Sequence, residues 1–171
     1  MISIVSGPSC VGKSYFMENK KDRLLEIANL ESDDEFEVCT TVEWNVTRNW
    51  TNDMWEDGSK LICIHWDVAK QAPPLIKKLE NLDKELAKGV IIIGAPYSEY
   101  RVRVKSRKTL IHHSGLRTRT IGSVPSHTQI LNVYREWIDV LNKNEISYKF
   151  VEASGDYKVL EEEEFFRMLN D

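Results

Sequence analysis

The fold class can be inferred from one short stretch, Ile2-Ser-Ile-Val-Ser-Gly-Pro-Ser-Cys-Val-Gly-Lys-Ser14. Its first four residues are β-prone, and they lead directly into Gly7-x-x-x-x-Gly12-Lys-Ser. This spacing is typical of a strand, a glycine-bounded turn and a helix start in succession. The two glycines permit backbone angles that are closed to residues with a Cβ, so successive N–H groups can converge on an anion. The stretch therefore predicts a strand, an anion-binding turn and the first helix of the domain.

The residue types in this turn suit the phosphates of ATP. Lys13 would reach the β- and γ-phosphates, Ser14 would offer its hydroxyl to Mg²⁺, and the positive end of the helix would face the phosphates. The alternative is a chance glycine-rich turn. Cys10 has no histidine nearby in sequence, so we expect its thiol to pack rather than to act as a nucleophile. The residues expected to contact ATP are Gly7, Pro8, Ser9, Cys10, Val11, Gly12, Lys13, Ser14 and Tyr15.

Length and composition indicate one ordinary globular domain spanning residues 1–171. Of the 171 residues, 42% are hydrophobic and 29% are charged, and the net charge of −4 gives no general reason to expect nucleic-acid binding. Three widely spaced cysteines without a Cys-x-x-Cys pair disfavour structural disulfides and zinc and favour a reducing cytoplasm. No apolar run is long enough to span a bilayer, and we expect neither a membrane partner nor a cleaved leader.

Strand and helix signals alternate along the chain. Alternation of this kind predicts a parallel sheet with helices on both faces, which here means a three-layer α/β/α fold with a five-stranded parallel sheet. After the first strand, the expected strands are 36–42, 60–66, 90–93 and 146–151. The expected helices run from Ser14 to about Leu30, from Pro73 to a stop at Gly89, from a cap at Ser98 to about Arg107, from the capping box Ser126-x-x-Gln129 through Leu141, and onward from about Leu160.

Residues 97–119 form a strongly basic segment. Seven lysines and arginines oppose the single acid Glu99, which gives a local charge of +6 in a protein of net charge −4. Phosphoryl transfer needs fixed positive charge around oxygens that gain negative charge, so we predict an Arg-rich lid at approximately 108–125. A solvated basic face or an RNA-contacting patch is the alternative. The catalytic candidates are Lys13 in the turn, Arg101 and Arg107 on the helix, and Arg117 and Arg119 in the lid.

Two stretches resemble known kinases. Ser6-Gly-Pro-Ser-Cys-Val-Gly-Lys-Ser14 resembles the phosphate loop of guanylate kinases and other small P-loop kinases. Val90-Ile-Ile-Ile-Gly-Ala-Pro96, followed by Glu99, Arg101, Arg103 and Arg107, is similar to the strand, proline and Arg-bearing helix that lead into the lid of nucleoside and nucleotide kinases. The resemblance covers the ATP half of the chain. It implies a P-loop NTPase fold and a phosphotransferase that uses ATP and Mg²⁺.

Acidic residues follow the second and third strands. The resemblance suggests that Asp67 acts as the acidic partner of Mg²⁺, although His65 and Trp66 separate it from the apolar part of its strand. It would hold the metal through water or act as a base on the acceptor hydroxyl; a helix cap or loop carboxylate is the alternative. Glu43 lies where related kinases often keep an acidic residue for the acceptor, and a solvated loop carboxylate is equally compatible with the sequence.

Four tryptophans lie at or between the ends of the second and third strands, on the side where open α/β sheets bind ligands. Their rings would stack a base or sugar, or else pack within the loops. The candidates for acceptor binding are Glu43, Trp44, Arg48 and Trp66.

The acceptor itself stays open. By analogy with these kinases, the leading candidate for the acceptor is a nucleotide, a nucleoside or a modified base. The tyrosine- and arginine-rich GMP-binding segment of guanylate kinases, however, is not recognisable between residues 31 and 59. Phage-type deoxynucleotide kinases and kinases of hydroxymethylated bases within DNA are two further variants of the kinase hypothesis. A basic lid would suit a DNA acceptor. The rival from another class is an ATPase or switch protein that phosphorylates no acceptor.

Overall fold

The computed structural model describes residues 2–29, 35–39, 60–67, 88–109 and 124–171. This part of the chain is mixed α/β, as the sequence predicts. The strands are β1 (Ile2–Gly7), β2 (Glu35–Cys39), β3 (Lys60–Asp67), β4 (Lys88–Gly94), β5 (Ser147–Glu152) and β6 (Val159–Leu160). The helices are α1 (Lys13–Asn19), α2 (Lys21–Ala28), α3 (Tyr97–Thr109), α4 (His127–Lys143) and α5 (Glu162–Leu169). None of these helices is long and apolar enough to cross a membrane.

One sheet contains all the described strands, in the order β2-β3-β1-β4-β5-β6. The neighbours from β2 to β5 are parallel, and β6 pairs antiparallel with β5. The strand β1 therefore lies inside the sheet, between β3 and β4. From β1 the chain continues to β2, on one side of β1, whereas from β3 it continues to β4, on the other side. In open α/β sheets, such a reversal of direction leaves a crevice at the carboxyl ends of the strands. The residue at that end of β1 is Gly7, and its register partner on β3 is Asp67.

Among the described residues, a hydrophobic cluster lies between the sheet and the helices. Helix α4 contributes a stripe whose spacing of three and four residues places apolar side chains on one face. Full burial of one large apolar side chain contributes about 1.5–3 kcal/mol, so this stripe accounts for much of the attachment of α4. Its buried members are Ile130, Tyr134, Trp137, Ile138 and Leu141.

The predicted start of α4 is confirmed. Ser126 Oγ accepts a hydrogen bond from the Gln129 N–H at 3.2 Å, and Gln129 Oε1 accepts one from the Ser126 N–H at 2.7 Å. These reciprocal bonds satisfy backbone donors that the first turn of a helix leaves without intrahelical partners. The signal was local in sequence, which is why the helix start could be predicted.

Several predicted element ends were wrong. The first helix breaks at Lys20, whose φ of −129° and ψ of 42° are not helical, so α1 and α2 are separate. Helix α3 begins at Tyr97, and because Pro96 O accepts its first backbone bond, Ser98 lies inside the helix and does not cap it. Gly89 belongs to β4 rather than to a helix stop. Leu160 lies in β6, where it pairs with Phe150, and α5 starts only at Glu162.

Phe165 of α5 packs against the end of β4 so closely that position 94 tolerates only glycine. A Cβ at Gly94 would lie 2.5 Å from two carbons of the Phe165 ring, and that ring is fully buried and stacked on Phe150. We expect Gly94→Ala to lower the free energy of unfolding by about 1–3 kcal/mol, because overpacking forces the ring from its position.

Urea denaturation measures this effect, and Gly89→Ala on the same strand is the control. A Cβ at Gly89 would meet nothing nearer than Ser147 Oγ at 3.9 Å. Equal stability of the two variants would contradict the packing described for α5.

Candidate functional site

The β1–α1 loop has a backbone that few residue types can adopt. Gly12 has a φ of 118°, and Cys10 adopts a left-handed conformation with a φ of 72°. At Gly7 the constraint is a close approach, since a Cβ there would lie 2.7 Å from Ile93 O on the neighbouring strand. The two glycines of the motif are therefore required by the shape of the loop as the structure has it.

Lys13 closes the loop on itself. Its side chain is buried, with 3% exposure, and its Nζ donates to Gly7 O at 2.7 Å and to Pro8 O at 2.8 Å. A buried ammonium is costly unless polar groups surround it, and these carbonyls supply part of that environment. The result is a positive charge held within the loop, next to the exposed Ser14 at the start of α1.

A buried polar network fixes the strand from which the loop emerges. Trp137 Nε1 donates to Ser6 Oγ at 3.0 Å, and Ser6 Oγ donates to Ile91 O at 3.3 Å. Beside it, the Tyr134 hydroxyl donates to Ile93 O at 2.7 Å. Burial raises the pKa of Tyr134 well above its ordinary value, with a smaller contribution from Tyr100, so the hydroxyl keeps its proton and remains a donor. Helix α4 thus anchors the carboxyl ends of β1 and β4.

Arg103 on α3 connects the loop to the far side of the site. Its Nη1 donates to Val11 O at 2.6 Å, and its Nη2 donates to Ala153 O at 2.7 Å. Glu99, one turn earlier, accepts from Nη2 at 3.0 Å. Arg103 belongs to the basic segment, but the catalytic candidates predicted on this helix were Arg101 and Arg107. A local signal existed, because a glutamate four residues before an arginine on a helix predicts an ion pair that orients the guanidinium.

A cavity of about 390 Å³ opens beside the loop. Tyr157 forms part of its wall; its ring stacks on Phe16 with centroids 4.5 Å apart, and its backbone is left-handed with a φ of 54°. Burial raises the pKa of Tyr157, while the nearby Arg103 charge opposes the rise. The residues that line the cavity are Gly12, Tyr15, Lys20, Arg103, Ala153, Ser154, Gly155 and Tyr157.

Arg101 lies away from the Arg103 face of α3. It is exposed, and its guanidinium carbon lies 5.8 Å from the centroid of the Tyr97 ring. Two positions along a helix correspond to about 200° of rotation, so Arg101 and Arg103 leave the axis in nearly opposite directions. Position 107 is one turn beyond Arg103 on the same face, and the structure describes only its backbone. The catalytic roles of Arg101 and Arg107 stay predictions.

The remaining candidates are described by backbone alone or not at all. Asp67 ends β3 opposite Gly7, and Trp66 precedes it opposite Ser6. Asp67 therefore lies on the strand next to the loop, although its metal role stays a prediction. Five candidates lie outside the described residues, as do positions 110–123 of the lid predicted at approximately 108–125; the candidates are Glu43, Trp44, Arg48, Arg117 and Arg119.

No group of three or more His, Cys, Asp or Glu side chains that could hold a metal ion occurs within the described residues. Comparison of the sequence with models of known protein families and with curated proteins finds no match. Support for a function therefore comes from the loop, the cavity and the residues that join them.

The hydroxyl of Tyr134 gives a direct test of the anchoring network. We expect Tyr134→Phe to lower the free energy of unfolding by about 1–3 kcal/mol, because a buried carbonyl oxygen of Ile93 loses its side-chain donor. The measurement is urea denaturation monitored by tryptophan fluorescence.

Tyr148→Phe is the matched control, since the Tyr148 hydroxyl donates to the exposed Asn142 side chain at 3.1 Å. We expect that variant to change stability far less. A Tyr134→Phe protein as stable as Tyr148→Phe would show that the bond to Ile93 O contributes nothing.

Proposed function

We propose that this protein is an ATP-dependent phosphotransferase with a three-layer P-loop fold, which transfers the γ-phosphate to a nucleotide or nucleoside acceptor. The observation that carries the proposal is the position of Lys13. A lysine that is 3% exposed and held by Gly7 O and Pro8 O places fixed positive charge inside a glycine-bounded loop. In a P-loop this ammonium neutralises the β- and γ-phosphate oxygens.

The loop fits a polyphosphate on its own geometry. Gly7 leaves no room for a side chain, since a Cβ there would lie 2.7 Å from Ile93 O, and Gly12 has a φ of 118°, which residues with a Cβ rarely adopt. Backbone N–H groups, an ammonium and the Ser14 hydroxyl are the donor types that phosphate oxygens accept. The adjoining cavity of about 390 Å³ is large enough for part of a nucleoside, with Tyr157 as an aromatic wall.

Asp67 and Ser14 are the residues that would hold Mg²⁺. Asp67 ends β3 at the level of Gly7, and Ser14 follows Lys13 in the first turn of α1. Mg²⁺ binds one or two protein oxygens and completes its coordination with phosphates and water, so two such residues suffice. When bound, the ion would neutralise charge on the phosphate oxygens.

Transfer then requires a positioned acceptor and a shielded phosphate. The basic segment that starts on α3 carries positive charge for shielding the phosphate, with seven cations against one acid between residues 97 and 119. The acceptor would bind near the carboxyl ends of β2 and β3, at the neighbouring edge of the sheet. The proposed acceptor residues are Glu43, Trp44, Arg48 and Trp66. A lid formed by the basic segment would favour transfer over simple hydrolysis, because exclusion of water protects the phosphoryl group.

Lys13→Ala tests the phosphate role. We expect turnover to fall roughly 100- to 1,000-fold, because one preorganised positive donor to the transferring group is lost. The assay follows label from γ-³²P-ATP in the presence of nucleosides, nucleotides and oligonucleotides, and thermal unfolding checks that the variant is folded.

Lys143→Ala, at an exposed position in the last turn of α4, is the control and should leave turnover unchanged. A folded Lys13→Ala protein with wild-type turnover would refute the proposal. Label that appears only as free phosphate with every acceptor would identify an ATPase instead.

Asp67→Asn tests the metal role. The amide keeps the size of the side chain but removes its charge, so we expect the Mg²⁺ concentration at half-maximal turnover to rise roughly tenfold or more. A magnesium titration at saturating ATP measures the shift, with Asp139→Asn on the exposed face of α4 as control. An unchanged magnesium curve together with full turnover would remove Asp67 from the site.

A further inference from the structure

Arg103 reaches across the site to the backbone of the phosphate loop. The oxygen it binds through Nη1, at 2.6 Å, is the carbonyl of Val11, and the N–H of the same peptide unit belongs to Gly12. A peptide unit is planar and trans, so its C=O and N–H point in opposite directions. A guanidinium that holds the Val11 oxygen therefore also fixes the direction of the Gly12 N–H, which points away from Arg103.

Three further observations show that the guanidinium of Arg103 is held firmly against the loop. Nη2 of the same guanidinium donates to Ala153 O at 2.7 Å and to Glu99 Oε2 at 3.0 Å, so the planar group is held on two sides. The side chain of Arg103 is 31% exposed, which leaves most of it packed. A Cβ at Gly12 would lie 3.3 Å from Nη1, so the guanidinium lies directly against the loop at this peptide.

We propose that Arg103 is a positioning residue that acts through the Val11–Gly12 peptide, turning the Gly12 N–H toward the polyphosphate of the nucleotide. The inference rests on the proposed function, since it assigns the loop to a polyphosphate. It differs from a lid role: Arg103 supports the loop from α3 and need not contact a phosphate. Through Ala153 it also ties the loop to the segment after β5, so both walls of the cavity share one anchor.

Isotope labelling gives a direct view of this peptide. The chain has eight glycines, and Gly12 is the only one that follows a valine. Protein labelled with ¹³C-carbonyl valine and ¹⁵N-glycine therefore gives a single HNCO signal, which reports the Val11 carbonyl and the Gly12 amide together. Binding of inorganic triphosphate with Mg²⁺ is measured by calorimetry, because this probe has no base or sugar to contact the cavity.

The variants are Arg103→Gln, which removes the charge, and Arg103→Lys, which keeps the charge but loses the planar fork. Arg167→Gln is the matched control: Arg167 also pairs with a glutamate four residues earlier on a helix, at 3.2 Å from Glu163, and its position on α5 is exposed. We expect both Arg103 variants to displace the Val11–Gly12 signal and to bind triphosphate roughly tenfold more weakly, as loss of a charged hydrogen bond implies. Arg167→Gln should change neither.

The experiments distinguish failure of the proposed function from failure of the positioning role of Arg103. Wild-type protein that binds neither triphosphate nor ATP with Mg²⁺ would refute the proposed function. If the wild type binds, the positioning role is overturned by Arg103 variants with unchanged affinity, or by Arg103→Lys restoring affinity while the Val11–Gly12 signal stays displaced. The second result would assign Arg103 a direct electrostatic contact with phosphate.

Discussion

The close approach of β1 to β4 at the carboxyl edge of the sheet is the constraint on which the site depends. A Cβ at position 7 would lie only 2.7 Å from Ile93 O, and the Tyr134 hydroxyl donates a hydrogen bond to the same oxygen. The residue at position 7, where the chain leaves β1, must therefore be glycine. Everything that follows, including the turn back to Lys13 and the direction of α1, starts from this fixed position.

A second layer of support comes from elements far away in sequence. Helix α4 holds β1 and β4 through Trp137 and Tyr134, and α3 holds the loop through Arg103. The loop is therefore a short segment that α3 holds directly and that leaves a strand held by α4. Preorganisation of this kind matters for phosphate chemistry, because donors that are already oriented need not be reorganised when charge develops.

The features that the sequence predicted correctly are those encoded by neighbouring residues. The apolar stripe of α4 repeats at helical spacing, and its capping box involves residues three positions apart, so both could be read directly. The glycines and lysine of the loop also form a local pattern. The site roles assigned to Asp67, Arg101 and Arg107 stay predictions, because they depend on ligands and on chain outside the described residues.

What sequence reasoning missed is non-local. Arg103 binds carbonyls 92 and 50 residues away in the chain, and no periodicity encodes such contacts. The break at Lys20 has neither proline nor glycine to announce it, and the two residues of β6 are too few to show an alternating pattern. Tertiary packing determines these features, so they become visible only once the elements are assembled.

The short strand β6 limits backbone pairing at one margin of the described sheet. An outer strand normally displays a row of backbone groups to which another molecule can add, and long flat margins of this kind promote self-association. On the β5 side of this sheet the outermost strand is only two residues long and runs antiparallel to its neighbour. That margin consequently offers little backbone for a second polypeptide to extend.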